Sequence, residues 1–349
     1  MQLDWLKQTT LVRRSTYVRE LRPELAPETA EPARSRLAFV PGHLAVIAIA
    51  ACVIAGGWIP YPLVPLLSLV IGTSFAGLTF VAHEAIHGAI VRGRTARWIV
   101  GWLGFLPFTL SPRLWAAWHD RVHHANANLP EDPDMYPTLA EYRASSRIRF
   151  LIDAFSLGGR RWRGALSLVL GFTVQSAHQL CVARQRGFLA PRAFWIAIAE
   201  TMAGVATWAV VAALVGFVPF LFVFVLPLLV ANAIVMAFVL TNHNLSPRVE
   251  IDDPLVSGLS VTAPRWLEWI TLRFGYHVEH HLFPAMSSRH AGAVRDLLRA
   301  RWPTRYQSMP LRTAMRELHR TGRVYKDATT LVDPRTGREY PTLMPSPSN

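Results

Sequence analysis

The sequence predicts an all-α integral-membrane protein, with four transmembrane helices in two hairpins, interfacial helices and a cytoplasmic histidine-rich cap. Three observations predict it. The 349 residues are 51% hydrophobic and only 17% charged, too apolar for an ordinary soluble protein. The apolar residues collect in four runs, 37–59, 62–82, 194–216 and 217–241, each reaching the roughly 20 residues that cross a bilayer. Eight of the 13 histidines fall in three short clusters outside those runs.

Residues 1–36 read as a cytoplasmic, partly disordered segment, because Pro23, Pro27 and Pro32 interrupt any continuous helix. They contain no apolar core of a cleavable signal peptide. A membrane body over 37–300 follows, then a basic cytoplasmic tail over 301–349. In the body, the hairpin 37–82 leads into the first cluster, His83-Glu84-Ala85-Ile86-His87. Residues 98–110 are short for a span and suit a re-entrant or interfacial helix. The second cluster, His119-Asp120-Arg121-Val122-His123-His124, is followed by a polar loop, Asn126 to Tyr136. Residues 164–183 are long enough to cross but carry Gln175, His178 and Gln179. The second hairpin, 194–241, has Glu200 as its one acid and runs into His243. The third cluster, His277-Val278-Glu279-His280-His281, lies in a polar segment.

The formal net charge of +13 is distributed by topology. Both hairpin turns, Gly57 to Tyr61 and Gly216 to Pro219, are uncharged, and arginines crowd the remaining connections. That is the positive-inside pattern, with both termini cytoplasmic and, for a bacterial cell, the inner membrane as the site. No nucleic-acid recognition motif accompanies the charge. Cys52 and Cys181 lie far apart in apolar segments and form no disulfide framework. If the clusters share one site, an even number of crossings separates His124 from His243. Residues 164–183 are therefore expected to lie in the interface or to dip in and return.

Within the clusters, His83 and His87 are spaced i, i+4 and share a helix face, as do His119 with His123 and His277 with His281. The adjacent pairs His123-His124 and His280-His281 diverge by about 100° on a helix, so each pair can address two ions. His243 follows its span as His83 follows its own and is read as a ninth ligand. Neutral imidazole is the commonest side-chain metal ligand. Eight or nine imidazoles exceed the needs of one ion and indicate two metals. A rival is the zinc-protease motif H-E-x-x-H over His83, Glu84 and His87, which leaves the other clusters unexplained. A metal transporter fits less well, since its sites normally sit near the bilayer midplane. His43, His178, His290 and His319 are isolated and read as structural.

The order H-x-x-x-H, H-x-x-x-H-H, N-H-N and H-V-E-H-H-L-F-P resembles the membrane fatty acid desaturase superfamily over roughly residues 40–300. The resemblance implies two non-haem iron ions held by His83, His87, His119, His123, His124, His277, His280 and His281, with His243 as an additional ligand. It implies O2 as co-substrate and a lipid acyl chain as the group desaturated. Hydroxylation or ketolation of a lipid or carotenoid is the alternative within that superfamily, and the intramembrane zinc metalloprotease is the alternative outside it. No catalytic residue beyond the metal ligands stands out. Glu84, Asp120, Asp132, Asp134 and Glu279 are placed to accept ring N–H bonds. No nucleotide loop and no fused haem or flavin domain is evident, so electrons are expected from a separate ferredoxin-like or small haem protein docking on the basic face.

Overall fold

The computed structural model describes residues 10–345; the first nine residues of the N-terminal segment and the last four of the tail lie outside the described residues. Over residues 10–36 the lead is folded rather than disordered. Helix α1 (Arg14–Leu21) is followed by short 3-10 turns, two of which, Arg22–Glu24 and Pro27–Ala30, carry Pro23 and Pro27 in their first two positions. The prolines do break the helix. Yet Tyr17 and Leu21 are fully buried, and Tyr17 meets Trp302 edge to face at 5.0 Å.

Helix α2 (Phe39–Ala55) and α3 (Val64–Ile86) form the first hairpin. Lipid gives little hydrophobic drive between helices, so close packing depends on small residues. At Gly72 of α3 the backbone of Pro227 and the side chain of Val230 come so close that a Cβ would meet them at 2.7 and 2.6 Å. Helix α4 (Arg94–Phe105) is about 18 Å long at 1.5 Å per residue, too short to cross. Its Gly104 presses on the backbone of Leu78 and the methyl of Ala82 in α3. The chain turns back at Thr109, φ 50°, into α5, which starts as Pro112–Trp115, widens to a π-helix over Ala116–His123 and ends at His124–Asn126. Ser111 caps this rod by accepting from the backbone N–H of Arg113 and Leu114.

After the amphipathic α6 (Ser146–Phe155) come α7 (Ala165–Val182), α8 (Pro191–Val215) and α9 (Leu226–His243). Glu200, the acid expected inside a span, is paired with Arg113 at 2.8 Å and accepts from Ser111 at 2.6 Å. The rest of the chain builds the cap. Helix α10 (His277–Leu282), α11 (Ala291–Arg301) and α12 (Leu311–Arg320) alternate with two small sheets absent from the sequence reading. Strand β1 (Ser260–Thr262) pairs in parallel with β2 (Ser308–Pro310), and β3 (Val324–Tyr325), β4 (Thr330–Val332) and β5 (Glu339–Pro341) form an antiparallel meander.

Among the described residues five helical stretches are long and apolar enough to cross a membrane: Arg34–Ala55, Tyr61–Ile86, Trp162–Val182, Pro191–Val215 and Phe217–His243. The fifth, beyond the four expected, is α7. Thr173, midway along α7, is hydrogen-bonded to Asn232 of α9. The segment entering α7 bonds to the cap, Gly159 N–H to the Thr321 carbonyl and Arg160 N–H to that of His319. The segment leaving it bonds instead to α5, Arg121 donating to the Phe188 carbonyl.

Candidate metal centre

The first cluster is the last turn of α3, prolonged past its apolar run. Gly88, φ +81°, terminates it: its N–H bonds the Ala85 carbonyl at 3.0 Å, and Ala89 N–H bonds that of Glu84 at 2.9 Å. This paired closure is a Schellman cap, and the left-handed position favours glycine. His83 and His87 thereby point to one side and are buried. The third cluster follows two non-glycine residues in the left-handed region, Leu272 (φ 52°) and Arg273 (φ 60°). Such strain persists where surroundings enforce it. Here the Leu272 carbonyl accepts from Arg36 and from Ser288.

All nine predicted histidines meet. Ring nitrogens of His83, His87, His119, His124 and His280 lie within 4.8 Å of one another, and those of His123, His243, His277 and His281 form a second such group. Seven of the nine are buried and two, His119 and His280, are half-buried. The groups touch, since the His124 and His281 rings stack at 4.3 Å. As expected, His123-His124 and His280-His281 each divide between the groups. His119 has two histidine neighbours on its own helix: its ring stacks on that of His123 at 5.0 Å, as their i, i+4 spacing predicts, and its Nε2 also lies 3.3 Å from His124 Nε2. The π turn, whose backbone bonds run between residues five apart, with His124 N–H on the His119 carbonyl, lets one ring meet both neighbours.

The nitrogens fit metal ions. His83 Nε2 and His87 Nε2 are buried with no hydrogen-bond partner among the described residues. His124 Nε2 faces both His119 and His280, and His243 Nε2 faces both His277, at 2.6 Å, and His281, at 3.2 Å. A neutral imidazole has one N–H, so these convergent nitrogens cannot all be satisfied by one another. Imidazole donors at roughly 2.1 Å from an ion lie about 3 to 4.2 Å apart, inside the observed spacing. Burial, followed by the neighbouring imidazoles, pushes His119, His124, His277, His280 and His281 well below the usual histidine range, which keeps them neutral and able to ligate.

Three rings are oriented from behind. His87 Nδ1 donates to Asp120 and His123 Nδ1 to Asp132, each at 2.9 Å, and His243 Nδ1 to the Ser257 carbonyl at 3.0 Å. Burial works against a charged His123, but its pairing with Asp132 and Asp134 wins and raises it. Asp134, 3.7 Å from His123, accepts from Trp118 and Gln175. The other two carboxylates expected to accept ring N–H bonds turn away. Glu279 is held by Ser260 at 2.6 Å and Tyr306 at 2.5 Å. Glu84 is held by Arg36 at 2.6 Å, Ser287 at 3.0 Å, and the backbone and hydroxyl of Ser288. A glutamate so engaged is not free to act as the base of a zinc protease. Sequence reasoning missed Arg36, and Arg14, which donates to the His124 carbonyl, because neither belongs to a motif.

A cavity of ≈ 470 Å³ opens on His83, His119, His123, His243 and His277. Trp115, Trp118, Phe80, Phe172 and Met236 make much of its wall. The shape suits an apolar chain brought against the histidines.

The fatty acid desaturase family model matches residues 56–313. The chain belongs to the fatty acid desaturase family. Members of this family use iron and act in membranes on lipids. Among relatives of this desaturase-family chain, the chloroplastic omega-6 fatty acid desaturase of Spinacia oleracea is 25% identical over 254 residues, 70% of this chain and 55% of that protein. The sn-1 oleoyl-lipid 12-desaturase of Synechocystis sp. is 23% identical over 260 residues, 70% of this chain and 71% of that protein. The dihydrorhizobitoxine desaturase of Bradyrhizobium elkanii is 38% identical over 90 residues, 25% of each chain. This desaturase-family chain thus spans about half, 55%, of the length of the first of these relatives.

Proposed function

We propose that this chain is an integral-membrane, O2-dependent di-iron oxidoreductase that desaturates the acyl chain of a lipid. One observation carries the reading: nine imidazoles from four distant parts of the chain converge at the head of an apolar cavity. His83, His87, His119, His124 and His280 would hold one iron, and His123, His243, His277 and His281 the other. Bound iron supplies the capacity to activate O2 against an unreactive C–H bond. The overall change takes two hydrogens from adjacent carbons, with O2, two electrons and two protons, and gives an alkene and two waters. The electrons come from a separate ferredoxin-like or small haem protein.

The chain's own residues do the positioning. Asp120, Asp132 and the Ser257 carbonyl fix the tautomers and tilts of His87, His123 and His243, leaving Nε2 free to ligate. Phe80, Phe172 and Met236 keep water from the chain beside the histidines. The membrane arrangement is four crossings, with α7 in the interface and both chain ends cytoplasmic. The attachment of one flank of α7 to the cap and of the other to the second histidine cluster's helix supports it, as does the arginine distribution. The test is expression in a host of simple lipid profile, with mass spectrometry of its lipids and metal analysis of the pure protein. Two irons per chain and a new double bond are expected; one zinc and unchanged lipids would overturn the reading.

A further inference from the structure

The cavity does not stop at the histidines. It reaches the flank of the molecule between α6 and α7, where Arg147, Leu151 and Phe155 line one side and Val174, His178 and Cys181 the other. Across this mouth Arg147 Nη2 lies 3.2 Å from His178 Nδ1. Among the described residues no carboxylate pairs with Arg147. Its guanidinium, a planar fork suited to phosphate, is spent on a neutral ring.

The surroundings of the mouth are those of a membrane interface. Phe150 is 65% exposed and Trp162 79% exposed, and Arg163 lies over the Trp162 ring at 5.8 Å. Arg143, Arg149, Arg160, Arg184 and Arg186 are exposed around the ends of α6 and α7. Exposed aromatics with arginines seat a surface among headgroups and draw anionic lipid to it. A ligand reaching this mouth arrives sideways from the bilayer.

We propose that Arg147, with His178 as its resting partner, is the subsite for the phosphate of an acidic glycerolipid, whose acyl chain enters the cavity laterally between α6 and α7. The proposal rests on the acyl-lipid reading above and narrows it to a membrane-borne substrate with an anionic head. The phosphate replaces the imidazole on the Arg147 fork, which both opens the latch and anchors the head while the chain reaches the metal centre.

The test uses the full chain in vesicles of equal phosphatidylglycerol and digalactosyldiacylglycerol, a two-chain lipid with no phosphate, with free oleate added, extracted into detergent, and retained lipid is counted by native mass spectrometry. Wild type should retain phosphatidylglycerol over the phosphate-free lipid by about tenfold, the worth of a charge-assisted hydrogen bond. Arg147→Ala should bring that ratio close to one, and Arg147→Lys should keep most of it. Arg338→Ala, an exposed arginine of the β4–β5 turn, controls for net charge and should leave it unchanged. An unchanged ratio in Arg147→Ala, an equal loss in Arg338→Ala, or retention of free oleate in preference to phosphatidylglycerol would overturn the subsite. Wild type that retains no acyl lipid and forms no double bond would sink the underlying reading as well.

Discussion

Carboxylates that look alike in the sequence divide into two kinds by what they touch. Asp120 and Asp132 meet ring nitrogens of His87 and His123, whereas Glu84 and Glu279 are consumed by serines, a tyrosine and an arginine. Asp132→Asn should therefore lower metal affinity or activity by roughly 10–100-fold, read as iron per chain and alkene formed, without unfolding the protein. Glu84→Ala acts on stability instead. Arg36 and Glu84 side chains are only 12% and 7% exposed, so removing the acid strands a buried cation. The expected loss is about 3–5 kcal/mol of unfolding free energy in detergent, mostly restored by the added change Arg36→Met. His280→Ala removes a nitrogen that faces His124 at 3.1 Å and should abolish desaturation and lower bound metal. Full activity in that variant would exclude the third cluster from the site. The histidines were legible because imidazoles at helical spacing have one obvious use. The carboxylates were not, since the choice of partner depends on loops such as 287–288 that carry no pattern.

Helices set these contacts, and α5 does so through its π-helical middle, Ala116–His123. An α-helical reading pairs His119 with His123 alone; in the wider turn it stacks on His123 and also reaches His124 Nε2 at 3.3 Å. Nothing local in Ala-Ala-Trp-His-Asp-Arg announces the change, which the packing of Trp115 and Trp118 on opposite sides accompanies. Deleting Ala117 should restore ordinary winding and rotate His119 about 100° from its partners. The variant should still insert in the membrane but bind less iron, and an unaltered iron content would show that the π turn does not set the register. The spans themselves were read to within a few residues, because a bilayer imposes length and apolarity directly. Helix α7 satisfies both demands as well, so its interfacial placement is a proposal made from its flanks and not from its composition.

At the scale of the whole molecule, the described parts of the lead and of the tail meet in one cap. Asp253 accepts from the Val12 backbone, the Tyr17 hydroxyl and Arg305, tying the lead to the far end. Such long-range pairings, like the strands of the tail, are invisible to periodicity. They also make topology testable. In a background of Cys52→Ala and Cys181→Ala, single cysteines at Gly159 and Gly187 flank α7, and cysteines at Gly57 and Gly216 mark the hairpin turns. An impermeant thiol reagent added outside should label the two turns and neither flank; labelling of one flank alone would mean that α7 crosses. The same convergence of distant segments governs how the protein comes into being. His83 and His281 stand 198 residues apart (281 − 83), so at about 5–20 residues per second some 10–40 s of synthesis separates them. Throughout that interval the first imidazoles have left the ribosome while their counterparts do not yet exist. On the proposed di-iron reading, neither group of imidazoles is complete until the last helix of the body has arrived, so iron loading would be a late event in biogenesis and a chain halted before His277 would leave an open, incomplete nest.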